Sequence, residues 1–277
     1  QEPSLSHHQS EGLRGDCYID FLPEVRVKDI HVKTSWRKAL VGAKTEIENV
    51  GAEPAEVEVR QYVTEAGRIR YTLPSAKVRV PAGETASVKR GGRWADPKLW
   101  GIGGEYGEPH LYELVTDVSC NGRRIDRHVQ EFGFREFWIH HTDFFLNGRR
   151  IILQGDVGQP HGDLAKWRDV VWTIHRADGI NILRLHDGEY WSERSASGAD
   201  RVGMLLYVQM YPQLDLRYGR GKRPKDAPII PVEEWTKRPE HAWNLANYER
   251  WFRMFRNHPS VVVWSTDNEI LTQAWDT

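Results

Sequence analysis

The chain has 277 residues, room for two domains of ordinary size. Its 38 Lys and Arg stand against 39 Asp and Glu, which excludes a broad electrostatic hold on nucleic acid or an anionic membrane. No apolar run approaches the ~18 residues of a membrane-crossing helix.

Residues 1–16 are polar, with His7 and His8 in what reads as a solvated tail, and lack a charged-then-apolar leader pattern. From Cys17 to Glu136 the pattern is β. Val25, Val27, Ile30 and Val32 give a broken alternation, and Glu56-Val57-Glu58-Val59 and Lys77-Val78-Arg79-Val80 give cleaner ones. Turn signals separate them at Asn49-Val50-Gly51, Ala66-Gly67, Pro81-Ala82-Gly83 and Asn121-Gly122. This spacing predicts an antiparallel β-sandwich of immunoglobulin type. Cys17 and Cys120 have no zinc or redox spacing; one bridge and two unpaired thiols both fit them.

After Phe137 the organisation changes. A hairpin turning at Asn147-Gly148 leads into a strand at 151–153, and residues 155–164 read as a polar loop. Trp167, Val170, Val171, Ile174 and Ala177 form one apolar stripe on a helix that stops at Gly179. Short strands are expected at 182–185 and 205–208, with a helix closing at 199–202 between them. Trp243, Tyr248, Trp251, Phe252 and Phe255 mark a long helix. Its end is punctuated by Asn257, Pro259 and Ser260, and Val261, Val262, Val263 and Trp264 then make a strand buried on both faces. Strands alternating with helices predict a parallel α/β architecture. A complete (β/α)8 barrel takes about 200–250 residues; about 130 follow Ile151, with four strands, so the expectation is a half-barrel. The exposed half would offer a surface for self-association.

Polar residues follow these short strands: Asp156 after the first, Arg184, His186 and Asp187 at the second, and Asp267, Asn268 and Glu269 after Trp264. In α/β barrels the carboxyl ends of the strands carry the chemistry. Asp156, Asp187 and Glu189 suit sugar hydroxyls or helix caps, and Arg184 suits a site or a plain ion pair. Tyr190, Trp191 and Trp264 lie nearest the strand ends and could form a sugar platform, although most of the twelve tryptophans read as core. The basic stretch Arg217, Arg220, Lys222, Arg223 and Lys225 reads as a solvated loop broken by Pro224, Pro228 and Pro231. His161, His175, His186 and Asp187 show no ligand spacing, so no metal and no cofactor are expected.

Several segments resemble glycoside hydrolase family 2, the family of β-galactosidases, β-glucuronidases and β-mannosidases. They are ADPKLWGIGGEYGEPHLYEL (95–114), EFGFRE (131–136), and above all NHPSVVVWSTDNE (257–269). GLRGDCYIDF (12–21) resembles the chain leaving that family's jelly roll. The resemblance implies a tail (1–16), an immunoglobulin-like sandwich (17–136) and the N-terminal half of a TIM barrel (137–277), a multidomain β plus α/β fold. It implies a retaining exo-β-glycosidase, β-galactosidase-like, acting on a carbohydrate. Glu269 would be the proton donor, Asn268 would bind the sugar 2-hydroxyl, Arg184 would steady the nucleophile and His186 would touch a substrate hydroxyl. Retention takes two carboxyl groups about 5–5.5 Å apart. The family's nucleophile lies on a later strand, so this fragment alone is expected to be inactive. Two departures stand out. Many relatives read R-x-S-H where this chain has Arg184-Leu185-His186. The β-galactosidase run N-R-H-E-H is replaced by Gly155-Asp156-Val157-Gly158-Gln159-Pro160-His161, which weakens galactoside specificity and the metal site of some relatives. The alternative is a non-catalytic carbohydrate-binding or assembly module on the same fold.

Overall fold

The computed structural model describes residues 19–158, 164–185, 193–209 and 232–266. Its first part holds β1 (Val25–Ser35), β2 (Leu40–Asn49), β3 (Ala55–Glu65), β4 (Arg68–Thr72), β5 (Ala76–Val80), β6 (Thr85–Arg93), β7 (Tyr112–Cys120) and β8 (Arg123–Phe132). They make two antiparallel sheets, ordered β1-β2-β6 and β4-β3-β7-β8, with β5 also paired to β3. Alternation decides which side chains go inward. In β3, Val57, Val59, Gln61 and Val63 are buried while Glu58 and Arg60 point out. Two apolar clusters fill the space between the sheets. One gathers Ile47, Val57, Val59, Val88 and Val118; the other gathers Ile30, Val63, Leu114 and Phe132. Near them the buried amide of Gln61 donates to the hydroxyls of Thr45 and Thr116, both at 2.9 Å, so its nitrogen is satisfied without water. The turns Ala66-Gly67 and Asn121-Gly122 have positive φ at both residues, as two-residue hairpins of this twist require.

A small antiparallel sheet follows, β9 (Phe137–His140), β10 (Asp143–Leu146) and β11 (Arg149–Ile151), in the order β11-β10-β9. Its Leu146 and Ile151 pack with Trp100 against Ile182 and Leu205, the first residues of two parallel strands. That packing covers the amino ends of the next sheet.

The second part runs β12 (Gly155–Gly158), α1 (Leu164–Ala177), β13 (Ile182–Leu185), α2 (Glu193–Val202), β14 (Leu205–Gln209), α3 (Val232–Trp235), α4 (Pro239–Phe255) and β15 (Val261–Ser265). Its sheet is parallel throughout, in the order β12-β13-β14-β15. One face meets the helices through Leu183, Leu185, Leu206, Val208 and Val261. Helix α2 comes close because Ala196 and Ala199, both fully buried, put almost no side chain in the way. Pro239 opens α4, where a missing N–H costs nothing.

Two expectations about this part are corrected. The first parallel strand is Gly155–Gly158, inside the stretch expected as a loop, and 151–153 is only the end of a hairpin and its exit. Two glycines in four residues hide the strand, and Gly155 uses its bare α-carbon, since a Cβ there would meet Ile182 Cγ2 at 3.3 Å. On α1 the stripe is rotated: Trp172 is 1% exposed, while Val170 and Ile174 are each 46% exposed. The large indole sets the packed face, outweighing the smaller β-branched residues.

The sandwich and the parallel sheet meet in a polar seam. Asn257 acts as a substitute strand against the edge of β1: its Nδ2 donates to Ile30 O at 2.8 Å, and Val32 N donates to its Oδ1 at 3.0 Å. Arg135 donates to Pro259 O and Val261 O at 2.9 and 2.8 Å. Buried Asp200 of α2 pairs with His258 Nδ1 at 2.6 Å and accepts from Ser260 N at 2.9 Å. Arg253 of α4 reaches Asp29 and Glu46 at 2.7 and 2.9 Å, and Arg256 also pairs with Asp29. Gly133 passes where a Cβ would meet Trp100 Cβ at 2.8 Å and Pro259 Cγ at 2.9 Å. Residues 256–260, which lead into β15, are therefore held from both sides.

His31, on β1 beside the ring of Phe252, makes this seam acid-sensitive. Burial is the main cause that pushes its pKa down from 6.5 to about 4; Arg256 and Lys33 add to it, and Asp29 opposes. A histidine whose folded pKa is lowered binds fewer protons folded than unfolded, so stability falls as pH drops from 6.5 towards 4. The His31→Gln variant is expected to lose less in that window, read as Tm against pH. Parallel curves for the two proteins would refute this role.

Candidate active site at the carboxyl ends of the parallel strands

Parallel register places side chains on shared faces. Arg184 of β13 lies beside Tyr207 of β14, which in turn lies beside Val263 of β15; Gln209 lies beside Ser265. Leu183, Leu185 and Val208 take the helix side, so Arg184, Tyr207 and Gln209 take the other. The Arg184 guanidinium donates through Nε to Gln209 Oε1 at 2.8 Å and through Nη2 to the same oxygen, and it sits 5.5 Å from the Tyr207 ring centroid. Gln209 is 1% exposed, and its Nε2 finds no partner among the described residues. A buried amide that fixes an arginine by its oxygen leaves its N–H groups to donate elsewhere. Such a pair suits an oxygen-rich ligand.

Two sequence candidates stand on the helix side of the sheet, opposite Arg184 and Gln209. Asp156 is paired with Leu183, a helix-side residue, and its exposed carboxylate lies 4.0 Å from His175 of α1. Trp264 packs against Trp251 and Phe252 of α4, at 5.0 and 4.9 Å between ring centroids, so its face is taken by the helix. Both lie one step out of phase with Arg184, Asp156 by plain alternation and Trp264 through an irregular step in the β14–β15 pairing. Glu269, Asn268, His186 and Asp187 lie outside the described residues, as do Tyr190 and Trp191. Gln209 was not singled out from the sequence; the signal available was a lone polar side chain closing the apolar run Leu205-Leu206-Tyr207-Val208. Among the described residues no group of His, Cys, Asp and Glu could hold a metal ion, and no helix is long and apolar enough to cross a membrane.

A two-sheet β module leading into a parallel sheet whose polar groups gather at the carboxyl ends defines the class. Residues 25–135 match the family model described as glycosyl hydrolases family 2. The chain is 28% identical over 180 residues to a putative beta-glucuronidase of Formosa agariphila, covering 62% of this chain and 16% of that protein. It is 24% identical over 275 residues to a beta-galactosidase of Halalkalibacterium halodurans, covering 93% of this chain and 25% of that protein. Among solved structures, a beta-glucuronidase of Bacteroides uniformis superposes with a TM-score of 0.71 at 20% identity, covering 92% of this chain and 30% of that one. The resemblance read from the sequence holds: residues 25–135 match the family model, and the chain as a whole is similar to proteins named as glycosidases. It spans about a quarter or less of the length of these two curated relatives.

Proposed function

We propose that the chain is part of a retaining exo-β-glycosidase, β-galactosidase-like, made of an immunoglobulin-like sandwich (17–136) and the first half of a TIM-barrel catalytic domain (137–277). The observation that carries this reading is the Arg184–Gln209 pair at the carboxyl ends of parallel strands, with helices on the opposite face. Glu269, four residues beyond β15, is the proton donor, and Asn268 beside it binds the sugar 2-hydroxyl. Arg184, oriented by Gln209, steadies the charge of a nucleophile supplied by a later strand of a longer protein. His186 and Asp187 contact substrate hydroxyls. The substrate is a β-linked carbohydrate, and the open face of the half-barrel is where the remaining strands, or another copy, pack.

The test compares the 277-residue chain with a longer protein that carries it, on a panel of nitrophenyl β-glycosides. The longer protein is expected to release nitrophenol and give the β-anomer as first product, seen by proton NMR; the chain alone is expected to give no turnover. A longer protein that cleaves no glycoside would favour a carbohydrate-binding module instead. Turnover by the isolated chain that disappears in Glu269→Gln would overturn the division of the two carboxyl groups.

A further inference from the structure

The seam between the sandwich and the parallel sheet contains a cavity of about 60 Å³, lined among others by Thr34, Arg135, Arg256, Asn257 and His258. A single water needs only ~10–15 Å³ of such space, so the cavity has room for more than one water or for a small ion, yet it is far too small for a sugar ring. Two cations border it, and neither is fully answered. Among the described residues Arg135 donates to the carbonyl oxygens of Pro259 and Val261, and the carboxylate whose charge it feels, Asp200, is engaged by His258 and Ser260. Desolvation in the seam pushes the pKa of Arg135 down to about 10, with the charge of Asp200 offsetting part of that. The Arg256 side chain is 9% exposed; its Nη2 pairs with Asp29, but its Nε–H is buried with no partner among the described residues. The nearby carboxylates are already engaged. Asp29 serves Arg253 and Arg256, and Asp200 serves His258 and Ser260.

A buried cation without a counter-charge is costly, and a buried donor left unmade costs about 1–3 kcal/mol. Water would answer the donor but not the charge. We propose that this cavity binds a small monovalent anion of chloride's size, held by the Arg256 Nε–H and the charge of Arg135. The anion joins β1 and the end of β8 to residues 256–260, the segment that leads into β15. Sandwich and parallel sheet are then coupled through an ion, independently of which sugar the neighbouring site takes.

The experiment is thermal unfolding of the chain at fixed pH and ionic strength, with chloride or bromide replacing gluconate, an anion too large for the cavity. Tm is expected to rise with halide along a saturating curve, by about 2–4 °C, as a ligand bound only by the folded state requires. Arg256→Lys keeps a cation for Asp29 and removes the Nε–H, so its Tm should follow ionic strength alone. Crystals grown in bromide should show an anomalous peak between Arg135 and Arg256, and this holds whether or not the variant folds. Equal Tm in chloride and gluconate, or a cavity containing only water in the bromide crystals, overturns the proposal.

Discussion

Replacing Trp100 with alanine is expected to destabilise the chain by about 3–5 kcal/mol, the range for removing a fully buried large aromatic. The side chain is 0% exposed and lies where three layers meet: the end of the sandwich, the β9–β11 sheet and the amino ends of the parallel strands. Its indole Nε1 donates to Asp200 O at 2.7 Å. That carbonyl belongs to the last turn of α2, where carbonyl groups have no partner within the helix, so the indole acts as a cap delivered from another part of the chain. Its backbone is tied as firmly, with Trp100 N donating to Phe134 O and Asn147 Nδ2 donating to Trp100 O, each at 2.8 Å. Collapse around the missing ring is therefore restricted, which places the cost toward the upper end of the range. Trp100→Phe separates packing from capping and should cost about 0.5–1.5 kcal/mol more than a volume change alone, the usual size of one hydrogen bond. Urea unfolding followed by circular dichroism measures both. A loss below 1 kcal/mol for the alanine variant would mean that the seam is held elsewhere.

How much of this could be read from the sequence depended on the kind of signal each element carries. Sandwich strands such as β3 announce themselves because one face is dry and the other wet, and the period of two survives in Val57, Val59 and Val63. Turns at Ala66-Gly67 and Asn121-Gly122 are local chemistry and need no tertiary information. Strand β12 is hidden in the sequence because Gly155 lies close to Ile182, a reason that exists only in three dimensions. The helix-facing position of Trp264 follows from an irregular step in the β14–β15 pairing, which no count along the sequence anticipates. Gln209 escaped for a related reason: its meaning lies in Arg184, 25 residues away, and their bond runs between neighbouring strands. Asn257, read as punctuation, turned out to pair with the backbone of β1, 225 residues earlier.

In a longer protein carrying this chain, Glu269→Gln should lower kcat/KM by about 10²- to 10⁴-fold on β-glycosides with poor leaving groups, the usual worth of general acid help. The argument starts from position. Strand β15 pairs with β14 so that Ser265 lies beside Gln209, and the chain then leaves the sheet at the end where Arg184 is held. Glu269 follows within four residues of that exit. A proton donor needs its charged form disfavoured, which burial beside a second carboxylate achieves, and the proposed role of Glu269 requires such surroundings in the longer protein. Glutamine keeps the size and hydrogen bonding but has no proton to give. Substrates whose leaving group departs unaided, such as dinitrophenyl glycosides, should therefore keep most of their kcat/KM, because that ratio reports the step through the first transition state. Alkyl glycosides should lose nearly all of theirs, and the alkaline limb of the pH profile should vanish with the acid that produced it. An equal loss on both substrate classes, with circular dichroism showing the fold intact, would move Glu269 from proton donor to a residue that merely shapes the pocket.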